Sequence, residues 1–255
     1  MAAASVTIAL PWRVKASLHF QRMVGFISFF WLAPFIFFLH KFFYRYGIAN
    51  HRELRRNIDR ILQESESHPL IICANHLTKI DSILIFLFLF RMRDTVFNFR
   101  LLPWNVPEIR RVSGNPFYAV ICFVAKCVFI RRGSSSSHQH LTLSKLSYLL
   151  SKKELICIFP EGQRSRVGRV DPSRAAYGVG QILQAVPDAK VLCVYLRGIN
   201  QKNYSSFPHR GDPFYCDLKV IKPTTDQEGR RGARDLSMQI IHQLKEMEDV
   251  YFTNR

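Results

Sequence analysis

The residues of this chain best equipped for chemistry fall in three short blocks. Asn75-His76-Leu77-Thr78-Lys79-Ile80-Asp81 sets a histidine and an aspartate five positions apart. Phe129-Ile130-Arg131-Arg132 and Phe159-Pro160-Glu161-Gly162-Gln163-Arg164-Ser165-Arg166 follow it. Imidazole exchanges a proton near neutral pH, and a carboxylate on one ring nitrogen leaves the other free to accept one. The first block therefore reads as a general base and its orienter. It is half of a Ser-His-Asp arrangement with no serine in the block, which points to a substrate hydroxyl as the attacking group. The arginine clusters suit bidentate recognition of phosphate or phosphonate oxygens. Each block also has a plainer reading. Thr78-x-x-Asp81 ahead of an apolar run resembles a capping box, and arginines after strands are commonly solvated loop residues.

The elements that must position these groups favour the chemical reading. Pro69–Ala74 is a short apolar run without alternation, which predicts a buried parallel strand ending at His76. Lys152–Phe159 and Cys127–Ile130 read as two more buried strands, each ending in an arginine cluster. Open α/β sheets bind ligands at the carboxyl ends of their strands. On one continuous helix His76 and Asp81 would lie about 140° apart. A helix starting near Thr78 instead leaves His76 in the turn, able to fold back onto Asp81.

Together these blocks resemble the glycerolipid acyltransferases of the 1-acyl-glycerol-3-phosphate acyltransferase type, over about residues 50 to 220. Their pattern is N-H-x-x-x-x-D, then F-I-x-R, then F-P-E-G-T-R-S, then a V-P-V-like strand. Asn75, His76 and Asp81 match the first, Phe129, Ile130 and Arg132 the second. Phe159, Pro160, Glu161, Gly162, Arg164 and Ser165 match the third. The departures are Lys126, where the second block is usually preceded by Gly, Gln163 for Thr, and Cys193 for Pro in Val191–Val194.

The resemblance implies an α/β fold with a mostly parallel central sheet flanked by helices and an N-terminal helical membrane anchor. It implies residues 1–48 as the membrane-associated segment and 49–255 as the acyltransferase domain. His76 would deprotonate an acceptor hydroxyl for attack on the thioester of acyl-CoA or acyl-carrier protein, and Asp81 would orient His76. Arg132 and Arg164 would hold the acceptor phosphate, while Glu161, Gly162 and Ser165 complete the substrate-binding turn. No cofactor or metal is implied, because the thioester is already activated. Acylation of lysophosphatidic acid to phosphatidic acid is the expected reaction. Another lysophospholipid, a lyso-aminolipid, glycerol 3-phosphate or a non-catalytic membrane-binding module are the alternatives.

Composition adds a surface. A net charge of +17 and a pI near 10 call for a polyanionic partner: nucleic acid, an anionic lipid surface or an acidic carrier protein. Phenylalanine outnumbers tyrosine and tryptophan, 21 against 9 and 3, and falls in apolar runs, which suits lipid or core rather than base stacking. With no helix-turn-helix, zinc or RNP-type pattern, membrane lipids are the expected partner and nucleic acid is not. The run Met23–Leu39 would make a helix of about 25 Å, short of a roughly 30 Å hydrocarbon core. Pro34 interrupts it and basic residues flank both ends, so a hairpin broken near Pro34, with both ends cytoplasmic, is as natural as one span. A cytoplasmic-face active site on a membrane is the expected localisation.

Elsewhere the sequence predicts a flexible Ser134–Ser137 connector, then helices over Leu141–Leu150, Ser173–Ala185 and Leu236–Val250. Phe214–Ile221 alternates like an edge strand. Gly178 and Gly180 suggest close helix packing. The six cysteines lack C-x-x-C spacing and read as small hydrophobes of a reducing compartment. Ile83–Phe90 and Phe117–Ile130 read either as core or as the walls of an acyl-chain groove.

Overall fold

The computed structural model describes residues 10–109, 114–131, 133 and 135–254. Arg132, expected to bind phosphate, and Ser134 lie outside the described residues.

Among the described residues six strands form one sheet in the order β1 (Gly47–Ile48), β6 (Pro213–Ile221), β5 (Lys190–Gly198), β2 (Leu70–Ala74), β4 (Ile156–Ile158) and β3 (Trp104–Asn105). Every pairing is parallel except β5 with β6. β2 sits between β5 and β4, and all five of its residues are buried, as its unbroken apolar run requires. The carboxyl ends of β2, β4, β3 and β5 therefore open on one edge.

Helices cover both faces. One core packs α6 (Ser136–Ser151), α7 (Gly178–Ala185) and α8 (Gly229–Thr253) on the sheet, with Leu236, Ile240, Leu244 and Met247 as the buried stripe of α8. Gly180 lies so close to α8 that an added Cβ would fall 1.8 Å from the Ala233 carbonyl oxygen. The expected close packing is present. The other core gathers α2 (His51–Glu64), α3 (Asp81–Leu89) and part of α1 (Trp12–Phe38). α4 (Met92–Phe97) and α5 (Pro116–Val124) complete the set.

Several expectations need correction. Pro34 does not break the N-terminal segment: α1 passes through it and continues as a π-helical turn, Leu39–Tyr44. Proline removes one helix hydrogen bond, but Phe29 and Ala33 are buried just ahead of it and hold the helix on course. Among the described residues one helix, Trp12–Tyr44, is long and apolar enough to cross a membrane. Its buried stripe is Leu18, Gln21, Gly25, Phe29 and Ala33, while Phe20, Met23, Ile27, Phe30 and Trp31 face outward.

Cys127–Ile130 is not a full strand. Among the described residues only isolated parallel bridges, Asn105 to Cys127 and Glu108 to Ile130, join it to the β3 side. β6 alternates as expected but is not at the edge, because the two-residue β1 pairs outside it. Ser136 and Ser137 already belong to α6. Leu84, Ile85, Phe88 and Leu89 are core, so α3 offers no acyl groove along that face. All six cysteines are free and buried, four of them in strands.

α1 is joined to the domain by polar groups as well as packing. The Gln21 amide donates to the carbonyls of Phe123 (3.1 Å) and Cys127 (2.9 Å). Arg22 Nε pairs with Glu154 at 3.1 Å, and Glu154 also takes Trp104 Nε1 and the fully buried Lys126 Nζ, each at 2.9 Å. Lys126 occupies a left-handed position, φ +55°, which glycine adopts at no steric cost. Its ammonium also donates to the carbonyls of Leu102 (2.7 Å) and Phe99 (3.3 Å). Burial drives its pKa down to about 8 against the pull of Glu154. Desolvation resists the Glu154 charge, but Lys126, Trp104 and Arg22 together hold its carboxyl below the usual range.

Candidate active site

β2 delivers Asn75 and His76 to the open edge. Asn75 is pinned by a two-way bond to the next strand: its Oδ1 accepts from Leu196 N (2.7 Å) and its Nδ2 donates to Leu196 O (3.0 Å). This fixes where the chain leaves the sheet.

α3 begins at Asp81, with Ile80 rather than Thr78 as the N-cap residue. His76 therefore stays in the turn, and its Nδ1 lies 2.9 Å from Asp81 Oδ2. The same oxygen accepts from the backbone of Leu77 (2.7 Å) and Thr78 (2.8 Å), and Oδ1 accepts from the Thr78 hydroxyl. The carboxylate does not cap α3, so the capping-box reading fails, but it satisfies the backbone donors of the turn and orients the ring at once. An oxygen already taking two N–H bonds has no proton to give, so Nδ1 carries the ring hydrogen and Nε2 keeps a free lone pair. Phe159 stacks on the imidazole at 4.0 Å between ring centres and 17° between planes, fixing the ring's other rotational freedom.

β4 delivers the second half. The Phe159–Gly162 turn closes through Gly162 N to Phe159 O (2.9 Å), with Gly162 at φ +69°. Glu161 is buried and its Oε1 accepts from the His76 backbone N at 3.2 Å. Desolvation, reinforced by the charges of Glu248 and Asp171, pushes its pKa up to about 8 against hydrogen bonds from the His76 and Asp171 backbones. Ser165 N donates to His76 O (2.9 Å), tying the two blocks together. The Ser165 hydroxyl accepts from Arg169 N (3.0 Å) and donates to Arg169 O, so its proton and one lone pair are used within its own loop.

Arg164 is half committed. Its Nη1 donates to Ser205 O (3.0 Å), its guanidinium lies 5.4 Å over the Tyr204 ring, and its Nε is buried without a hydrogen-bond partner among the described residues. A cleft beside the turn is lined by Glu161, Gln163, Arg164, Ser165, Arg166 and Arg174. The structure thus brings His76, Asp81, Glu161, Gly162, Arg164 and Ser165 to one sheet edge.

Two participants escaped sequence reasoning. Phe159 was matched as the first residue of the third block, but nothing in a pattern announces that its ring stacks on His76. The loop after β5 contributes through backbone atoms, which no side-chain pattern encodes: Ser205 N donates to Leu77 O and Lys79 N to Ser206 O, both at 3.1 Å.

The thiols behind the site are poor nucleophiles. Burial raises Cys157 to about 12, with the Asp81 charge adding to it, and raises Cys73 well above the ordinary thiol range. Among the described residues no His, Cys, Asp and Glu cluster suits a metal ion. The arrangement can remove a proton from a bound hydroxyl and receive an anion beside Arg164.

Comparison with known families matches residues 48–197 to the family described as Acyltransferase. A search of curated proteins found no match.

Proposed function

The chain belongs to the acyltransferase family, and on that premise we propose that it moves a fatty acyl group from acyl-CoA or acyl-carrier protein to the hydroxyl of a lysophospholipid, with lysophosphatidic acid the preferred acceptor. His76 Nε2 takes the proton of the acceptor hydroxyl as its oxygen attacks the thioester carbonyl carbon. The tetrahedral adduct collapses, the C–S bond breaks, and the departing thiolate takes the proton back from the imidazolium. Asp81 holds the ring in the required tautomer and stabilises the imidazolium.

The unpartnered Nε of Arg164 faces the acceptor phosphate, and Arg132 supplies the second cation. Glu161 and Gly162 shape the turn that receives the glycerol. Lipid acceptors reach the site from a membrane held by α1, with the active site on the cytoplasmic face where both acyl donors occur.

The observation that carries this reading is the His76–Asp81 pair with a free Nε2 and high-pKa thiols as its neighbours. Such a base has work only if the substrate brings its own nucleophile. The test is acyl transfer by membranes carrying wild type or His76→Ala, with labelled acyl-CoA and acyl-carrier protein and a panel of lyso-acceptors. Transfer lost with His76 and greatest for lysophosphatidic acid is the expected result. Transfer to no acceptor by the wild type overturns the proposal, and a different best acceptor corrects its substrate.

A further inference from the structure

The segment between β5 and β6, residues 199–212, touches three things at once. Its base is fixed by the buried Arg197, whose guanidinium donates to the carbonyls of Gly168 (2.5 Å) and Gln201 (2.7 Å). Its middle holds the catalytic turn, through the Ser205–Leu77 and Ser206–Lys79 backbone bonds, and takes Arg164 on Ser205 O. Its far side is joined to the end of the N-terminal helix. Tyr46 Oη donates to Pro208 O (3.0 Å), Gly211 N donates to Tyr44 O (2.7 Å), and the Phe207 and Tyr44 rings lie parallel within 5° at 6.4 Å.

At that junction four rings are left largely in solvent: Phe42 at 57%, Phe43 at 55%, Phe207 at 51% and Tyr204 at 45% exposed. They continue the outward face of α1, since Phe38 and Phe42 pack at 5.1 Å. Cations sit on the same rings, Arg210 at 5.4 Å over Phe43 and Lys41 at 5.8 Å over Phe42. Aromatic rings interleaved with snorkelling cations suit the boundary between acyl chains and anionic headgroups.

We propose that the loop carrying Tyr204 and Phe207 is a second membrane contact, which lies in the lipid interface beside Phe42 and Phe43 and ties that interface to the His76 turn. This rests on the acyltransferase reading for its consequence, which is that the acceptor lipid is taken from the bilayer at this rim. The contact itself does not depend on any activity. The occupant is a lipid surface, favoured by the cations and by continuity with the apolar helix.

The experiment places an environment-sensitive thiol dye at Phe207→Cys in the full chain; the native cysteines are buried and stay unlabelled. Val250→Cys, exposed on α8 over the opposite core, is the control. Vesicles of phosphatidylcholine with phosphatidylserine should raise and blue-shift the emission at 207 and leave 250 unchanged. A Phe207→Ser variant, which leaves the Tyr204 ring under Arg164 intact, should lose about fivefold in kcat/KM on a vesicle-borne acceptor, as expected for losing partial burial of one ring. On a monomeric short-chain acceptor its change should stay below about twofold.

No dye response to vesicles overturns the contact even if transfer is intact. A response that rises with protein concentration without lipid assigns the face to a second copy and also overturns it. An equal loss on both acceptors overturns the delivery role. Absence of all transfer by the wild type is the failure of the acyltransferase reading, and is told apart because the dye signal does not need turnover.

Discussion

His76 Nδ1 and Asp81 Oδ2 meet at 2.9 Å across a turn in which Asp81 also takes the backbone N–H groups of Leu77 and Thr78. The spacing of five works because the chain between them is not helical. One carboxylate shapes the turn and orients the base within it, so loss of Asp81 and loss of His76 should have different signatures.

His76→Ala should lower kcat by about 10²- to 10⁴-fold, the range for removing a general base, with an unchanged urea midpoint. Asp81→Asn should lower kcat too and destabilise the fold by about 1–3 kcal/mol, because buried N–H groups lose a charged acceptor. Paired chevron and turnover measurements distinguish the two. A stable, inactive Asp81→Asn protein would contradict the dual role.

Glu161 gives a pH signature. Its folded pKa, about 8, stands above the ordinary carboxyl value of 4.5, so the fold favours the protonated form. Its contribution to stability is complete below pH 4.5 and is lost as pH rises through 8. Glu161→Gln imitates the protonated group and keeps the acceptor for His76 N. The variant should therefore match the wild type near pH 4.5 and become progressively more stable than it towards pH 8, by denaturant melts across that window. Parallel curves would mean that Glu161 is ionised throughout.

Lys126→Gly tests a substitution in which two effects oppose. Glycine suits the φ of +55°, worth about 1 kcal/mol, but Glu154 and the carbonyls of Phe99 and Leu102 lose a buried partner. Breaking a buried ion pair costs about 3–5 kcal/mol, so a net loss of about 2–4 kcal/mol in urea melts is expected. A gain in stability would show that the ion pair contributes nothing.

Gly180→Ala should destabilise by about 3 kcal/mol or more, since its methyl would displace the Ala233 backbone at the α7–α8 contact. Gly114→Ala, whose added methyl would meet no atom of the described residues within 4 Å, is the control and should be near neutral in a thermal melt.

The sheet and the dyad were readable because burial writes itself into sequence. Leu70–Ala74 had to be a covered strand, and His76 had to follow at its end. Of the two glycines read as marks of close packing, Gly180 foreshadowed the α7–α8 contact, while Gly178 makes only ordinary contact with Leu143 of α6. β3 was not readable, since two residues carry no period, and its neighbour Cys127–Ile130 is held by bridges rather than a ladder. Pro34 misled because local hydrogen-bond loss was outweighed by the packing of Phe29 and Ala33. The reach of residues 199–212 into the site runs through backbone carbonyls and amides, which every residue possesses, so no residue type could reveal it.

The latch of Gln21 and Arg22 onto the Phe123, Cys127 and Glu154 side of the domain leaves α1 no slack. A protein moored by a floppy tether would rise and fall over a bilayer and try many heights. In the membrane-bound arrangement proposed above, a rigid joint would set a single depth for the His76 imidazole. Acceptors would then be sorted by how far below the headgroup plane their free hydroxyl hangs, a gauge set by the length and tilt of one helix rather than by any pocket wall.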